Sequence, residues 1–302
     1  MSINLPTQSC WHKVTTQWSP TTKGITLALV STALFTAVGV IVRLLSDSIG
    51  VFQILLFRQL VFLVLLMPAI VINFASLRQP THLKLHTFRI LGAFTALSIG
   101  FVVVSAIPLA NATALGFTQV LFVALLARLF LRETLSMSRI LTLILGFSGV
   151  MLIVQPSFDD TSLGYIVLGL VASMGAAIAA ICVRRIAQLE SKLALLVYQA
   201  LFVGILALVP STFFDWVWPS WNELLLLVSV GVISSIAQWF GVSAYKYGAA
   251  NVVSNVEYVK IIYAMGIGYL LFSETPNQLA IIGVVLLFLS VCVPKLFTNR
   301  NK

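Results

Sequence analysis

Charge is scarce in this chain. Of 302 residues only 9% are Asp, Glu, Lys or Arg, whereas 60% are hydrophobic. A soluble domain carries about 25% charged residues. A water-exposed fold this poor in charge could not cover its surface, so a lipid-facing surface is the simpler account. Cysteine is scarce too. Cys10, Cys182 and Cys292 are odd in number, far apart and form no CxxC pair, which argues against a disulfide framework or a zinc site. The histidines are His12, His82 and His86. His82 and His86 stand four apart, a spacing that binds metal on some helices, but no third ligand is evident and a basic surface loop is the reading taken. There is no phosphate-binding loop, no nucleophile with a base, no ring of like charges and no carbonyl filter motif. An enzyme and a channel are therefore disfavoured, and no metal or cofactor is expected. The first 23 residues lack an apolar run ending in a cleavage site and read as a tail.

Long apolar runs fill the rest. A bilayer core needs about 20 apolar residues per helix, and ten runs qualify: 24–44, 51–73, 87–107, 110–131, 138–155, 163–183, 193–213, 223–244, 250–272 and 277–296. The formal net charge is +9, which suggests nucleic acid or anionic membrane, and the positions of the basic residues favour membrane. With the N-terminus inside, Lys13, Lys23, Arg78, Lys84, Arg89, Arg128, Arg132, Arg139, Arg184, Arg185, Lys192, Lys246, Lys295, Arg300 and Lys302 all fall on the cytoplasmic side, 15 of the 18 basic residues. The outer loops hold Asp47, Asp159, Asp160, Asp215, Glu223 and Glu274. Trp216, Trp218 and Trp221 cluster at one outer loop as an interfacial anchor does. Both termini are thus expected in the cytoplasm.

The two halves match at a spacing near 141. Leu27 to Val30 matches Leu168 to Val171, Ala110-Asn111 matches Ala250-Asn251, and Glu133-Thr134 matches Glu274-Thr275. Each half holds five runs, and an odd number makes the second copy enter from the opposite side. The expected organisation is all-α and integral to the membrane, with ten transmembrane helices as two inverted five-helix repeats. A cytoplasmic tail covers 1–23, the first repeat 24–156, the second 163–296 and a second tail 297–302. Inverted repeats are typical of secondary transporters, with the solute site near the midplane between the halves.

Several motifs now carry a family resemblance. The first half has Phe57-Arg58, Ile107-Pro-Leu-Ala-Asn-Ala-Thr-Ala-Leu115, Phe117-Thr118 and Leu131-Arg-Glu133. The second has Tyr245-Lys-Tyr-Gly248, Tyr258, Ala264 and Phe272-Ser-Glu-Thr-Pro276. As a set these resemble the EamA branch of the drug/metabolite transporter superfamily over residues 24 to 296. The resemblance implies ten helices, a central cavity, alternating access and a small organic solute, without fixing which. Two positions depart from the family pattern: Val120 and Asn255 stand where relatives have a proline that would loosen a helix beside the cavity.

Ionisable groups within a bilayer are costly and are functional candidates by default. Arg58 lies about 12 Å below the outer surface, at 1.5 Å per residue. A structural role for it, bonding carbonyls of the neighbouring repeat, competes with solute binding. Glu257 and Lys260 stand three apart on one helix face, with Lys260 about 15 Å deep. They line the cavity, neutralise one another, or do both in turn, since a solute with both charges could replace each partner. Gln119 in the fourth run and Tyr258 in the ninth are placed to face one another across the centre. Phe101, Gln238, Trp239, Asn255 and Tyr263 complete the candidate solute-binding set, with packing as the competing role for each. The expected function is a secondary active or facilitative transporter of a small zwitterionic or charged metabolite, such as an amino acid or a nucleoside-like or cofactor solute, in a bacterial inner membrane, acting as exporter, uptake carrier or exchanger, with a non-transporting membrane receptor or enzyme as the competing reading. Its partners would be the solute, the bilayer and a candidate coupled proton, with no nucleic acid, and a monomer or homodimer is compatible with the sequence.

Overall fold

A computed structural model describes residues 19–77, 81–131, 137–155, 160–213, 216–273 and 275–298. Within those ranges the side chains of Asn251, Glu257 and Tyr258, among others, lie outside the described ones. Helices account for almost all of it, and no strand occurs among the described residues. The elements are α1 (Pro20–Leu45), α2 (Val51–Ile72), the single turn α3 (Phe74–Leu77), α4 (Leu83–Ala106), α5 (Leu109–Gly116), α6 (Thr118–Phe130) and α7 (Met137–Val154). They continue as α8 (Asp160–Ile186), α9 (Lys192–Phe213), α10 (Trp221–Tyr247), α11 (Ala250–Asn255), a 3-10 turn (Val256–Val259), α12 (Lys260–Phe272) and α13 (Gln278–Thr298). Seven helical segments among the described residues are long and apolar enough to cross a membrane, and Ile140–Ile153 and Gln278–Ser290 are shorter apolar helices.

Local chemistry starts these helices where the sequence turns polar. The Ser19 hydroxyl accepts from the Thr22 amide, and Pro20 occupies the first helical position, where its missing N–H costs nothing. Ser220 and Glu223 form a reciprocal capping box at the start of α10, so Glu223 caps its helix. Trp218 and Trp221 are more than four-fifths exposed, as a membrane-interface belt requires.

The seams are built by backbone close approach. α4 packs mainly on α8, and α1 mainly on α10, a reciprocal exchange between the two halves. α2 packs on α9, and α7 on α13. A Cβ at Gly92 would stand 2.6 Å from the Gly175 carbonyl oxygen, and one at Gly149 would stand 2.7 Å from that of Gly283. A Cβ at Gly231 would meet Val61 at 2.4 Å. Small residues are what permit such contacts in lipid, where apolar burial supplies little drive between helices. The Ser31 hydroxyl donates to the Ala237 carbonyl at 2.8 Å across the α1–α10 seam. Pro68 and Pro210 lie inside α2 and α9, 142 residues apart. Gly92, Gly169 and Gly175 sit at close contacts. Gly100, Gly164 and Gly266 face open space within 4 Å.

Two of the ten apolar runs are not continuous helices. The fourth divides at Phe117, whose amide donates to Ala114 at 3.0 Å, and the Val120 amide donates to Phe117 at 2.9 Å. The ninth divides at the 3-10 turn Val256–Val259. Both are tightened i to i+3 turns, which in mid-helix often mark functional hinges. They occupy matching places in the two halves.

Candidate functional site

Phe117, where the first interruption falls, and Lys260, the residue that follows the second, both line a cavity of about 210 Å³. Its wall includes Gln119 and Lys260, each in the first turn of the helix that follows an interruption. Gln119 and Lys260 are 141 residues apart, so they are repeat mates. Thr36, Thr113 and Ser173 supply hydroxyls, and Phe35, Gly39, Gly100 and Gly169 supply space and apolar surface. The Lys260 Nζ lies 5.9 Å from the Phe35 ring centroid.

The first interruption is held from outside its own helix. The Leu115 carbonyl, near the end of α5, accepts from the Thr118 hydroxyl at 2.7 Å and from the Ser173 hydroxyl of α8 at 3.0 Å. A backbone carbonyl in the bilayer must be satisfied within the protein, and Ser173 meets that need from the other half of the chain. Gly169 makes the approach possible, since a Cβ there would stand 2.9 Å from the Leu115 side chain.

Of the ten sequence candidates, the cavity unites Gln119 and Lys260. Glu257 belongs to the 3-10 turn before Lys260, and its side chain, like that of Tyr258, lies outside the described ones. Asn255 ends α11 and is half-buried, as is Tyr263 on α12. Phe101 packs in the core cluster beside Ile90 and Val42. Gln238 joins a separate polar network, donating to the Gln199 side-chain oxygen at 3.1 Å, which also accepts from Arg89 at 2.7 Å. Trp239 is 43% exposed, with the Lys192 Nζ 4.7 Å from its ring. Sequence reasoning did not single out Phe35, Thr36, Gly39 or Ser173. The available signal was the polarity of α1 and α8, the first helices of the two halves, where Ser173 stands 141 residues after Thr32.

Arg58 is fully buried, and none of its three guanidinium nitrogens has a hydrogen-bond partner among the described residues. An unpaired buried charge is strongly destabilising. Arg58→Met is therefore expected to raise the melting temperature of the purified protein by a few degrees. A fall on the same substitution would identify an acceptor that the fold depends on.

At the end of the bundle where α8 turns into α9, Glu190 ties the two halves together. One carboxylate oxygen accepts from the Thr81 hydroxyl at 2.7 Å and from the His82 amide at 3.2 Å, while the other lies 3.0 Å from His86 Nε2. His86 is buried, so it belongs to an interhelical contact and not to the surface loop expected from the sequence. Arg89, counted among the cytoplasmic charges, is also fully buried and donates to the Leu195 carbonyl at 2.6 Å. Partial burial alone would raise the Glu190 pKa, but the hydrogen bonds from Thr81, His86 and His82 outweigh it and hold it below its ordinary value of 4.5. A depressed carboxylate stabilises the fold fully above its unfolded value, and that contribution is lost as pH falls through the folded one. The difference in melting temperature between the protein and Glu190→Gln is thus expected to shrink as pH falls below about 4.5. A difference independent of pH would show that the carboxylate charge does not hold this contact.

A larger crevice of about 770 Å³ lies between α4, α6 and α8, but its wall is apolar apart from Cys182 and Arg185. Its lining suits lipid chains better than a polar solute.

The EamA-like transporter family profile matches the chain twice, over residues 22–155 and 163–293. The pseudopaline exporter of Pseudomonas aeruginosa strain UCBPP-PA14 is 28% identical over 284 residues, covering 92% of this chain and 97% of its own. The S-adenosylmethionine uptake transporter of Rickettsia conorii is 25% identical over 266 residues, covering 87% and 89%. The riboflavin transporter of Vibrio cholerae is 29% identical over 189 residues, 61% of this chain and 62% of its own. A protein crystal structure shares the fold with a TM-score of 0.73 at 17% identity, covering 94% of this chain and 98% of that one.

Proposed function

The chain belongs to the EamA-like transporter family, and from that premise we propose that it is a secondary carrier moving a small zwitterionic or charged metabolite across a bacterial inner membrane by alternating access. The observation that carries the proposal is the meeting of Gln119 and Lys260, repeat mates on two interrupted helices, at one cavity. Interrupted helices at the interface of inverted repeats form the solute sites of many carriers. Two profile matches of similar length, the reciprocal packing of α4 on α8 and α1 on α10, and the matched Pro68 and Pro210 support a ten-crossing, inverted arrangement. The distribution of Lys and Arg supports cytoplasmic termini.

Among the ten sequence candidates, Gln119 and Lys260 line the route directly in this reading. Glu257, Tyr258 and Asn255 belong to the hinge that presents Lys260. Direction is set by the gradients acting on a reversible carrier, and relatives include both an exporter and an uptake transporter. The test is counterflow in vesicles reconstituted with the purified protein. A carrier gives saturable uptake that is accelerated by unlabelled solute on the far side. Uptake proportional to concentration and indifferent to trans solute would favour a channel.

A further inference from the structure

The crevice of about 770 Å³ is a slot open to the side of the bundle. α4 and α6 each pack on α8, and the space lies between them. Phe88 of α4 and Phe130 of α6 line it and are more than half exposed, so the slot opens outward. Ile178 lines it seven residues before Arg185. At 1.5 Å per residue the slot runs about 10 Å along α8, out of the roughly 15 Å of one leaflet's hydrocarbon. It shares no wall residue with the cavity of Gln119 and Lys260.

The rim of the slot is cationic. Arg184 turns inward and donates to the Tyr245 and Lys246 carbonyls at 2.9 and 3.4 Å. Its neighbour Arg185 is exposed and lines the slot. Lys84 is also exposed. It stands four residues before Phe88, on the same face of α4 and one turn nearer the end where α8 turns into α9. The Glu190 carboxylate at this end is occupied by Thr81, His82 and His86. Arg132 and Glu133, next in the chain after Leu131, bring one charge of each sign. Cations at a membrane end also snorkel to headgroups with no site beneath them. Here an apolar slot lies directly below Arg185, so headgroup contact and room for a chain fall in one line. Basic pockets between transmembrane helices hold anionic headgroups in this way.

We propose that the crevice between α4, α6 and α8 binds one anionic phospholipid of the phosphatidylglycerol type, its phosphate held by Arg185 and Lys84 and one acyl chain lying in the slot. The lipid thereby joins α4 and α6 of the first half to α8 of the second. The site stands apart from the transport reading and does not depend on it.

The experiment uses the full-length protein, delipidated in detergent. Thermal shift is read on adding dioleoyl phosphatidylglycerol, dioleoyl phosphatidylcholine, dihexanoyl phosphatidylglycerol or glycerol 3-phosphate, and native mass spectrometry counts the lipids retained. A ligand that binds the folded state raises its melting temperature. One tightly held dioleoyl phosphatidylglycerol is expected, with a rise in melting temperature that phosphatidylcholine does not match. Arg185→Gln is expected to weaken that binding by about fivefold or more. Lys246→Gln, which removes an exposed cation from α10 at the same end, is expected to leave it unchanged. Leu126→Trp, which fills the slot from α6, is expected to lower retention of the lipid while the melting temperature in phosphatidylcholine holds. Equal losses in Arg185→Gln and Lys246→Gln would overturn the proposal in favour of diffuse surface charge. Phosphatidylcholine acting as well as phosphatidylglycerol, or no lipid retained, would overturn it too. Glycerol 3-phosphate or the dihexanoyl lipid acting as well as the dioleoyl lipid would show that no chain occupies the slot, and the proposal would fall. Undiminished retention by folded Leu126→Trp has the same meaning, and if that variant does not fold, the dioleoyl and dihexanoyl comparison decides the point. Absence of counterflow would count against the carrier reading and not against this site.

Discussion

Gly100→Phe is expected to stop solute movement and leave the folded protein intact. Gly100 lies on α4 at the cavity wall, and a Cβ built there meets nothing within 4 Å. A phenyl group at this position enters the space a solute would need and displaces no backbone. The helix itself gains, because a glycine in a helix interior is worse than alanine by about 0.5–1 kcal/mol through its conformational freedom in the unfolded chain. Melting temperature is thus expected to hold or rise slightly. Counterflow is expected to fall by about tenfold or more, since the small-solute site is filled. Unchanged counterflow would place the route elsewhere. A collapse in stability would mean that the space beside Gly100 is not open.

The opposite outcome is expected about two helical turns away on the same element. A Cβ at Gly92 would sit 2.6 Å from the Gly175 carbonyl oxygen, and one at Gly175 would sit 2.8 Å from that of Gly92. The obstacle is backbone, fixed by its own helix, so α4 and α8 must separate to admit a methyl group. Overpacking costs about 1–3 kcal/mol, against a gain of about 1 kcal/mol in helix propensity for Gly to Ala. The clash is reciprocal and on the principal seam between the halves, so overpacking wins. Gly92→Ala is expected to lower the melting temperature by several degrees. Gly92→Val, which adds branching at the same point, is expected to yield no monodisperse protein on size-exclusion chromatography. A Gly92→Ala protein melting at or above the parent would refute the seam. Two glycines eight residues apart on α4 thus separate function from stability.

The seam glycines illustrate what a single sequence does and does not reveal. Gly92 and Gly175 look like Gly100 and Gly164 in sequence, each a small residue in an apolar run. Whether a glycine admits a neighbouring backbone or borders a cavity depends on what stands opposite, and that is set by packing. The same holds for polar side chains. Gln238 and Trp239 are adjacent on α10, as attractive for a solute as Gln119 is on α6. Gln238 instead accepts a place in the network with Gln199 and Arg89, and Trp239 lies under Lys192. His82 and His86 gave no sign of their partner, because Glu190 is more than a hundred residues away in the chain.

Hydropathy and charge placement determined the helices, because lipid requires long apolar segments with satisfied backbones, and this constraint acts locally on each stretch of chain. The described helices start and stop within a few residues of the apolar runs. The spacing near 141 carried the pairing of the halves, because duplicated sequence keeps its register. Only the tertiary structure decided where helices are interrupted. Val120 and Asn255 offer no proline to force a break, and the first interruption is sustained by Ser173 reaching the Leu115 carbonyl from the other half. Only tertiary structure, too, brought Gln119 and Lys260 to one wall. Those properties arise where separate segments meet, and no window of sequence contains both sides of the meeting.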